Sequence, residues 1–452
     1  MTECSGRRFE FGRHGGREVV AKFDGGTMSS DGGALLLGEV DRRLGLLGRL
    51  AKCFRDERNP LQVRHRLREL LAQRVYAIAL GYEDLNDHER LRADPLLGVL
   101  AGKPAAGEEP LAGKSTLNRL ELSAGRSDRY RKIHYEAAAI DCLLVDVFLE
   151  AHPRAPESLV IDLDTTDLAL HGHQEGRFFH GYYDSYCYLP LYIFCGEHLL
   201  GVRLRTADQD ASAGCVAEIG RMIARVRAAW PEVEILLRAD SGFCREELMS
   251  WCEANGVDYL FGVARNARLR RLVDAPMREA QRLHQASGEP VRVFTEFDYQ
   301  TATGSWSRPR RVVAKCEQLE GKENPRYVVS SLSPQRWPAQ ALYEQLYCAR
   351  GDMENRIKEQ MSLFAERVSA ATMRANQLRL YLSAAAYVLV QGLRRLALAG
   401  TEFANAQVNT IRLKILKIAA CVRLSARKLW VALASSYPYQ PLFETLYQRL
   451  RL

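Results

Sequence analysis

Three carboxylates, Asp164, Asp240 and Glu354, combine a reactive residue type with positions where distant parts of a chain can meet. Asp164 closes the run Leu159-Val160-Ile161-Asp162-Leu163-Asp164, a β-branched and apolar stretch that stops at Thr165-Thr166-Asp167. With a period of two, Val160, Asp162 and Asp164 share one strand face, and Leu159, Ile161 and Leu163 share the other. A charge in mid-strand is costly unless paired, whereas one at a strand end can meet solvent or a cation. Asp164 is therefore the first choice and Asp162 the alternative. Asp240 follows the strand Ile235-Leu236-Leu237-Arg238-Ala239, and Ser241-Gly242 turn the chain after it. That position suits either a functional group at a strand end or the N-cap of the next helix.

Glu354 lies in Tyr347-Cys348-Ala349-Arg350-Gly351-Asp352-Met353-Glu354-Asn355-Arg356-Ile357-Lys358. On a regular helix Tyr347, Arg350, Glu354 and Lys358 fall at about 0°, 300°, 340° and 20°, one polar stripe, with Asp352 and Glu359 on the opposite side. A surface ladder of charges would give the same stripe. Carboxylates from three separate elements are the oxygen ligands that hard Mg²⁺ takes. A pair of such ions about 4 Å apart is the usual apparatus for phosphoryl transfer to water or a sugar hydroxyl.

The surrounding elements set where these acids can stand. Residues 35 to 150 carry helical periodicity, with Asn59-Pro60 as a helix start. Arg64, Arg66, Arg68 and Arg74 follow it, fit either to track phosphates or to form a solvated face. Residues 105–110 read as a loop. From Leu159 the texture becomes that of strands, with further runs at 188–194 and 199–204, a helix at 211–230, a strand at 233–237, a helix at 246–255 and a strand at 259–263. Three strands followed by α-β-α-β is the order of an RNase H-like sheet. Antiparallel alternation at 291–297, 310–316 and 327–330 reads as an all-β insertion. Helices return at 339–367 and 376–398, and the remainder reads as helical and basic.

The fold class expected is thus α/β: an RNase H-like mixed sheet flanked by helices, interrupted by an antiparallel β insertion, with helical N- and C-terminal regions. The expected divisions are 1–150, mainly helical and DNA-binding; 155–268, the first part of the core; 269–335, the β-rich insertion; 336–400, the second part of the core with the Glu354 helix; and 401–452, basic and helical. The 63 Lys and Arg exceed the 55 Asp and Glu by 8, which modestly favours a polyanionic partner. Eleven Cys without a CxxC pair argue against a disulfide framework or a structural zinc site and for a reducing, cytoplasmic setting. The apolar window at 380–393 is too short for a membrane span.

At these residues the sequence resembles the DDE transposases of bacterial insertion sequences, in the branch with a β-rich insertion in the core and a Y-x2-R-x3-E-x6-K signature. Tyr347, Arg350 and Glu354 match it; Met361 stands where the signature has Lys, and Lys358 lies on the same stripe. Asp164-Thr165-Thr166 and Asp240 match the first two acids. Ser30-Asp31-Gly32-Gly33, His171-Gly172-His173-Gln174-Glu175-Gly176 and Arg238-Ala239-Asp240-Ser241-Gly242-Phe243 also resemble the family.

The resemblance implies two Mg²⁺ (or Mn²⁺) ions held by Asp164, Asp240 and Glu354. It further implies cleavage at the element's terminal inverted repeats and attack of the freed 3′-hydroxyl on double-stranded target DNA. Tyr347, Arg350 and Lys358 would bind phosphate, and a homodimer assembled on DNA, associated with the nucleoid, is expected. The alternatives are an RNase H-like nuclease without strand transfer and an inactive DNA-binding relative.

Two weaker signals accompany these. Trp306, beside Arg308, Arg310 and Arg311, is a candidate to stack on an unstacked base, or else covers its own sheet. His171, His173 and His180 lack a ligand spacing that would complete a transition-metal site and read as a loop near the acids.

Overall fold

The computed structural model describes residues 7–103, 109–122, 125, 128–302, 304–425 and 427–451. Most of the loop expected at 105–110 lies outside them. The chain divides into two compact units: residues 1–135, 362–364 and 385–452 form one, and residues 136–361 and 365–384 form the other.

Alternating apolar residues build the spine of the second unit. Strands β1 (Ser158–Thr165), β2 (Leu191–Cys195) and β3 (His198–Arg203) pair antiparallel in sequence. β4 (Glu234–Ala239) lies parallel to β1 on its other side, and β5 (Asp258–Val263) lies parallel to β4. β6 (Val291–Tyr299), β7 (Arg310–Leu319), β8 (Lys322–Glu323) and β9 (Arg326–Ser330) complete one nine-stranded sheet, ordered β3-β2-β1-β4-β5-β9-β7-β6 with β8 on β7.

Period-two burial divides the two faces of this sheet. Leu159, Ile161 and Leu163 of β1, with Leu237 and Ala239 of β4, enter one core. They meet side chains of α1 (Ala137–Glu150), α2 (Cys215–Ala229), α3 (Glu246–Ala254) and α4 (Asp274–Ser287) there. On the other face Leu236, Leu260, Val313 and Val328 pack against Leu342 and Tyr343. The result is helix on both sides of a mixed sheet.

The segment expected to be all-β differs in two respects. It opens with helices Ala267–Leu272 and Asp274–Ser287. Its strands also continue the main sheet, because β9 pairs with β5 in the register Leu260↔Ser330 to Val263↔Tyr327.

In the first unit, helix Ala34–Leu44 buries an apolar face, helix Leu67–Leu80 is buried all round from Glu69 to Leu80, and Gln440–Arg451 packs on the former. The C-terminal stretch expected to be wholly helical contains a hairpin, Ala420–Leu424 with Leu429–Leu433, joined by Met28–Ser29 as a third strand. Ala420 and Val422 are buried with Cys421 half-buried between them and Arg423 exposed beyond, a short strand alternation obscured by the basic residues around it. A further hairpin, Phe9–His14 with Arg17–Ala21, turns at Gly15 and Gly16, whose φ of +54° and +80° suit glycine. No helix among the described residues is long and apolar enough to cross a membrane.

Candidate active site

The parallel register of β1 and β4 places the acids. Arg238 lies opposite Asp162 and Ala239 opposite Leu163, so Asp240, one residue further, comes beside Asp164 at the same strand ends. Asp162, Asp164, Arg238 and Asp240 thereby share the face that packs against Leu342 and Tyr343, opposite the core of Leu159, Ile161 and Leu163. The two β1 aspartates have different partners. Asp162 is gripped by Arg238 through one guanidinium edge, Nε and Nη2 donating at 2.6 and 2.8 Å, with both side chains under a tenth exposed. It is a buried ion pair tying neighbouring strands, which accounts for a charge in mid-strand.

Asp164 sits at the strand end with only 13 % of its side chain exposed. Its Oδ1 accepts from the Thr165 N–H at 2.9 Å, and its Oδ2 accepts from Arg350 Nη1 at 3.0 Å. Burial pushes its carboxyl up to about 6; Asp240 and Glu354 push the same way, and Arg350 opposes them. Asp240 caps the turn Ser241–Phe243, its Oδ1 accepting from the Gly242 N–H at 2.8 Å. The capping and strand-end readings of Asp240 therefore coexist.

The signature residues lie on a helix that changes pitch. After a short α turn at Ala339–Ala341 comes a π-helical stretch, Leu342–Tyr347, then a 3₁₀ turn, Cys348–Arg350, and then α5 (Gly351–Met361). A uniform 100° wheel thus misplaces residues across this junction. Widened turns of this kind are frequent at functional sites.

Arg350, at the end of the 3₁₀ turn, reaches Asp164 and also lies 3.7 Å from Glu354 Oε1. Glu354 keeps 55 % of its side chain exposed. Tyr347 packs its hydroxyl over Gly262 of β5, where a Cβ would stand 2.6 Å from that oxygen and 2.9 Å from the Ser241 nitrogen. Only a residue without a side chain fits there. Burial raises the Tyr347 phenol, with Arg350 opposing and Asp240 adding to the rise. Arg238 completes the frame by donating through Nη1 to the Leu346 carbonyl, so one guanidinium joins β1, β4 and the helix before Tyr347.

The structure thus draws Asp164, Asp240, Tyr347, Arg350 and Glu354 into one electrostatic neighbourhood. Among the described residues, however, no group of three His, Cys, Asp or Glu side chains converges closely enough to hold a metal ion. Arg350 lies between Asp164 and Glu354 as their counter-charge. Lys358 is exposed one helical turn beyond Glu354.

Trp306 departs from the expectation of an accessible stacking ring. It is 5 % exposed in the main core, edge-on to Tyr299 at 5.4 Å. Its flanking arginines are committed to carboxylates: Arg308 to Glu253, Arg310 to Glu246 and Glu253, and Arg311 to Glu296. Covering its own sheet is what this ring does. Arg74 is likewise buried, against Glu121 at 2.5 Å, and tracks no phosphate.

Tyr183, not singled out by the sequence, belongs beside the acids. Burial first, then Asp167, Tyr182, Asp164 and Asp240, push its hydroxyl up to about 12. Its only sequence signal was its place in the segment following the first acid. The family model described as Transposase DDE domain group 1 matches residues 11–452.

The chain belongs to this DDE transposase family.

No curated protein matches the transposase. Among solved structures it is similar to the piggyBac transposase synaptic complex with hairpin DNA, determined by cryo-EM. That likeness has a TM-score of 0.43 and 10 % identity, and covers 86 % of the transposase and 80 % of that chain.

Proposed function

We propose that this transposase, encoded by a bacterial insertion sequence, binds the ends of its element, cleaves the DNA and joins the 3′-hydroxyl ends to target DNA. The observation that carries the reading is the side-by-side placement of Asp164 and Asp240 at parallel strand ends, with Arg350 and Glu354 brought to them by a helix of altered pitch. The order β3-β2-β1-β4-β5, three antiparallel strands and two parallel ones, supports an RNase H-like core. The antiparallel strands β6 to β9, lying in sequence between β5 and the signature helix, support the insertion.

The donor chemistry, though not the present spacing of the three side chains around Arg350, suits two Mg²⁺, or Mn²⁺ in their place. Asp164, Asp240 and Glu354 offer only hard oxygen donors, and the Asp164 carboxyl, raised first by burial and then by its acidic neighbours, is one whose charged form a bound cation would favour. When bound, divalent ions supply an activated oxygen nucleophile and neutralise charge on the leaving oxygen. The chain's own groups bind and orient. Arg350, aligned by Asp164, presents a planar fork suited to a phosphate. Tyr347 fixes that end of the helix against Gly262, and Lys358 provides the basic contact in a chain that has Met361 at the signature position. Two ends processed together call for a homodimer assembled on DNA.

An assay with paired end fragments and a target plasmid tests this. Wild type is expected to give joined products with Mg²⁺ or Mn²⁺. Asp240→Asn and Glu354→Gln should still bind ends but lose cleavage by about 10³-fold, roughly 4 kcal/mol in the barrier. Cuts without joined products would make the protein a nuclease; wild-type inactivity with both ions would make its core a dead one.

A further inference from the structure

The first unit carries a cleft of about 590 Å³ that the reaction above does not use. Its walls come from residues 58–65 ahead of helix Leu67–Leu80, from Glu89 and Arg92, from the first turns of helix Lys114–Glu121, and from residues 129–133. Six cations line it, Arg58, Arg64, Arg92, Arg119, Arg129 and Lys132, against one acid, Glu89. The pairing pattern matters more than the count. Arg58 is held by Asp56 at 2.6 and 2.8 Å. Glu89 is already engaged, its Oε1 accepting from the Lys114 N–H at 2.9 Å and its Oε2 lying 3.9 Å from Arg92. Arg64, Arg119, Arg129 and Lys132 are exposed, and among the described residues no carboxylate lies within 4.0 Å of any of them.

Two further features mark the cleft as built for an anion. His65 is 8 % exposed in its wall, and its Nδ1 has no hydrogen-bond partner among the described residues. Burial first, then Lys103, Arg64, Arg92 and Arg58, hold that imidazole down to about 4, so a neutral ring sits in a positive field. Tyr130, 61 % exposed, carries the guanidinium groups of Arg119 and Arg129 near its ring, at 5.9 and 5.4 Å from the centroid. Unpaired like charges held together are unfavourable unless a ligand of opposite charge completes them. Arginine forks recognise phosphate oxygens bidentately.

We infer that this cleft is a docking site for the phosphodiester backbone of duplex DNA, with phosphates held by Arg64, Arg119, Arg129 and Lys132. The inference rests on the reading that the transposase acts on DNA, and adds a surface outside the carboxylate site that grips it. Contacts to phosphates carry no base sequence, so the cleft contributes affinity and register rather than end recognition.

Two measurements on the full chain test it. The first follows binding of a labelled random-sequence duplex by fluorescence anisotropy over a salt series. Each phosphate contact contributes about 0.9 to the slope of log affinity against log salt. The triple variant Arg64→Gln/Arg119→Gln/Arg129→Gln should therefore lose about 2–3 from that slope, and on the order of 10-fold or more in affinity. The second uses wild type, so no variant need fold: an amine-reactive reagent labels Lys132, and mass spectrometry reads whether the duplex protects it.

Protection by duplex, with the reduced slope, supports the proposal. Unchanged slope and affinity in a folded triple variant overturn it, as does Lys132 labelling unaffected by duplex. Protection by inorganic phosphate or a nucleoside triphosphate but not by duplex overturns it in favour of a small-anion site. If wild type binds and cuts DNA while these tests fail, only the cleft proposal falls; if wild type neither binds nor cuts, the functional reading falls too.

Discussion

A carboxyl that holds its proton up to about pH 6 inside a folded protein is a cost at neutral pH. Asp164 is in that position because it is buried and has Asp240 and Glu354 for neighbours, with Arg350 and the Thr165 N–H in opposition. An unfolded chain releases the same proton near pH 4. Between about 4 and 6 the folded state therefore binds more protons than the unfolded state, and this group's contribution to stability falls as pH rises. Above about 6 the cost is constant, about 2–3 kcal/mol at most. Asp164→Asn should remove it: with a chelator present, urea unfolding should show the variant more stable than the parent at pH 8, with the gap closing as pH falls from about 6 to about 4. A variant equally stable or weaker at pH 8 would deny that Asp164 is an electrostatic burden. Added Mg²⁺ should raise the melting temperature of the parent more than that of the variant. At this scale the sequence was informative about faces: period two put Asp162 and Asp164 together and the leucines opposite, as the burial shows. It could not rank the two aspartates by partner, because that depends on Arg238 facing Asp162 across a strand boundary. Register is a tertiary fact.

The signature helix works as an element only because its beginning is tied down. Arg238 donates to Asp162 on β1 and to the Leu346 carbonyl in the π-helical stretch, the residue before Tyr347. Arg238→Met alone would strand a buried carboxylate and should cost about 3–5 kcal/mol. Pairing it with Asp162→Leu replaces the buried ion pair with apolar groups and should recover most of that loss. The Leu346 tie stays broken in the double variant, so cleavage should remain impaired while the melting temperature returns and end binding persists. Recovery of both together would reduce Arg238 to a stabilising residue. Elements with a strong apolar pattern, such as β1, β4 and α2, were legible in the sequence. Helix α4 was not: only Met277 and Ala280 of its fourteen residues are buried, too thin a stripe to announce a helix. The change of pitch before Glu354 was equally hidden, since no Pro or Gly marks the π-helical stretch.

At the scale of the whole chain, the excess of 8 positive charges is a poor map of where a polyanion binds. Several arginines that looked available are spent internally, among them Arg74 on Glu121 and Arg310 on Glu246 and Glu253. Sequence order is an equally poor map of the first unit, which gathers residues 1–135 with 362–364 and 385–452. The motif Ser30-Asp31-Gly32-Gly33 shows how those distant stretches are joined. The Gly32 and Gly33 N–H groups donate to the carbonyls of Ile418 and Leu416, at 2.7 and 3.1 Å. Asp31, 4 % exposed, accepts from Tyr82 and pairs with Lys417 at 2.6 Å. A Cβ on Gly33 would stand 1.9 Å from the Ile415 carbonyl oxygen, so the backbones approach as closely as glycine permits. Arg412 adds ties to the Ala79 and Ser362 carbonyls. A fragment of residues 1–135 lacks every one of these C-terminal partners and exposes the core that they cover. It should give amide spectra of an unfolded or molten chain, whereas co-expression with residues 362–452 should restore dispersion. Gly33→Ala in the full chain should cost at least about 2 kcal/mol, the range of a backbone clash in a packed interior. Normal folding of the isolated fragment, or a neutral Gly33→Ala, would mean that the two stretches are neighbours rather than one folding unit.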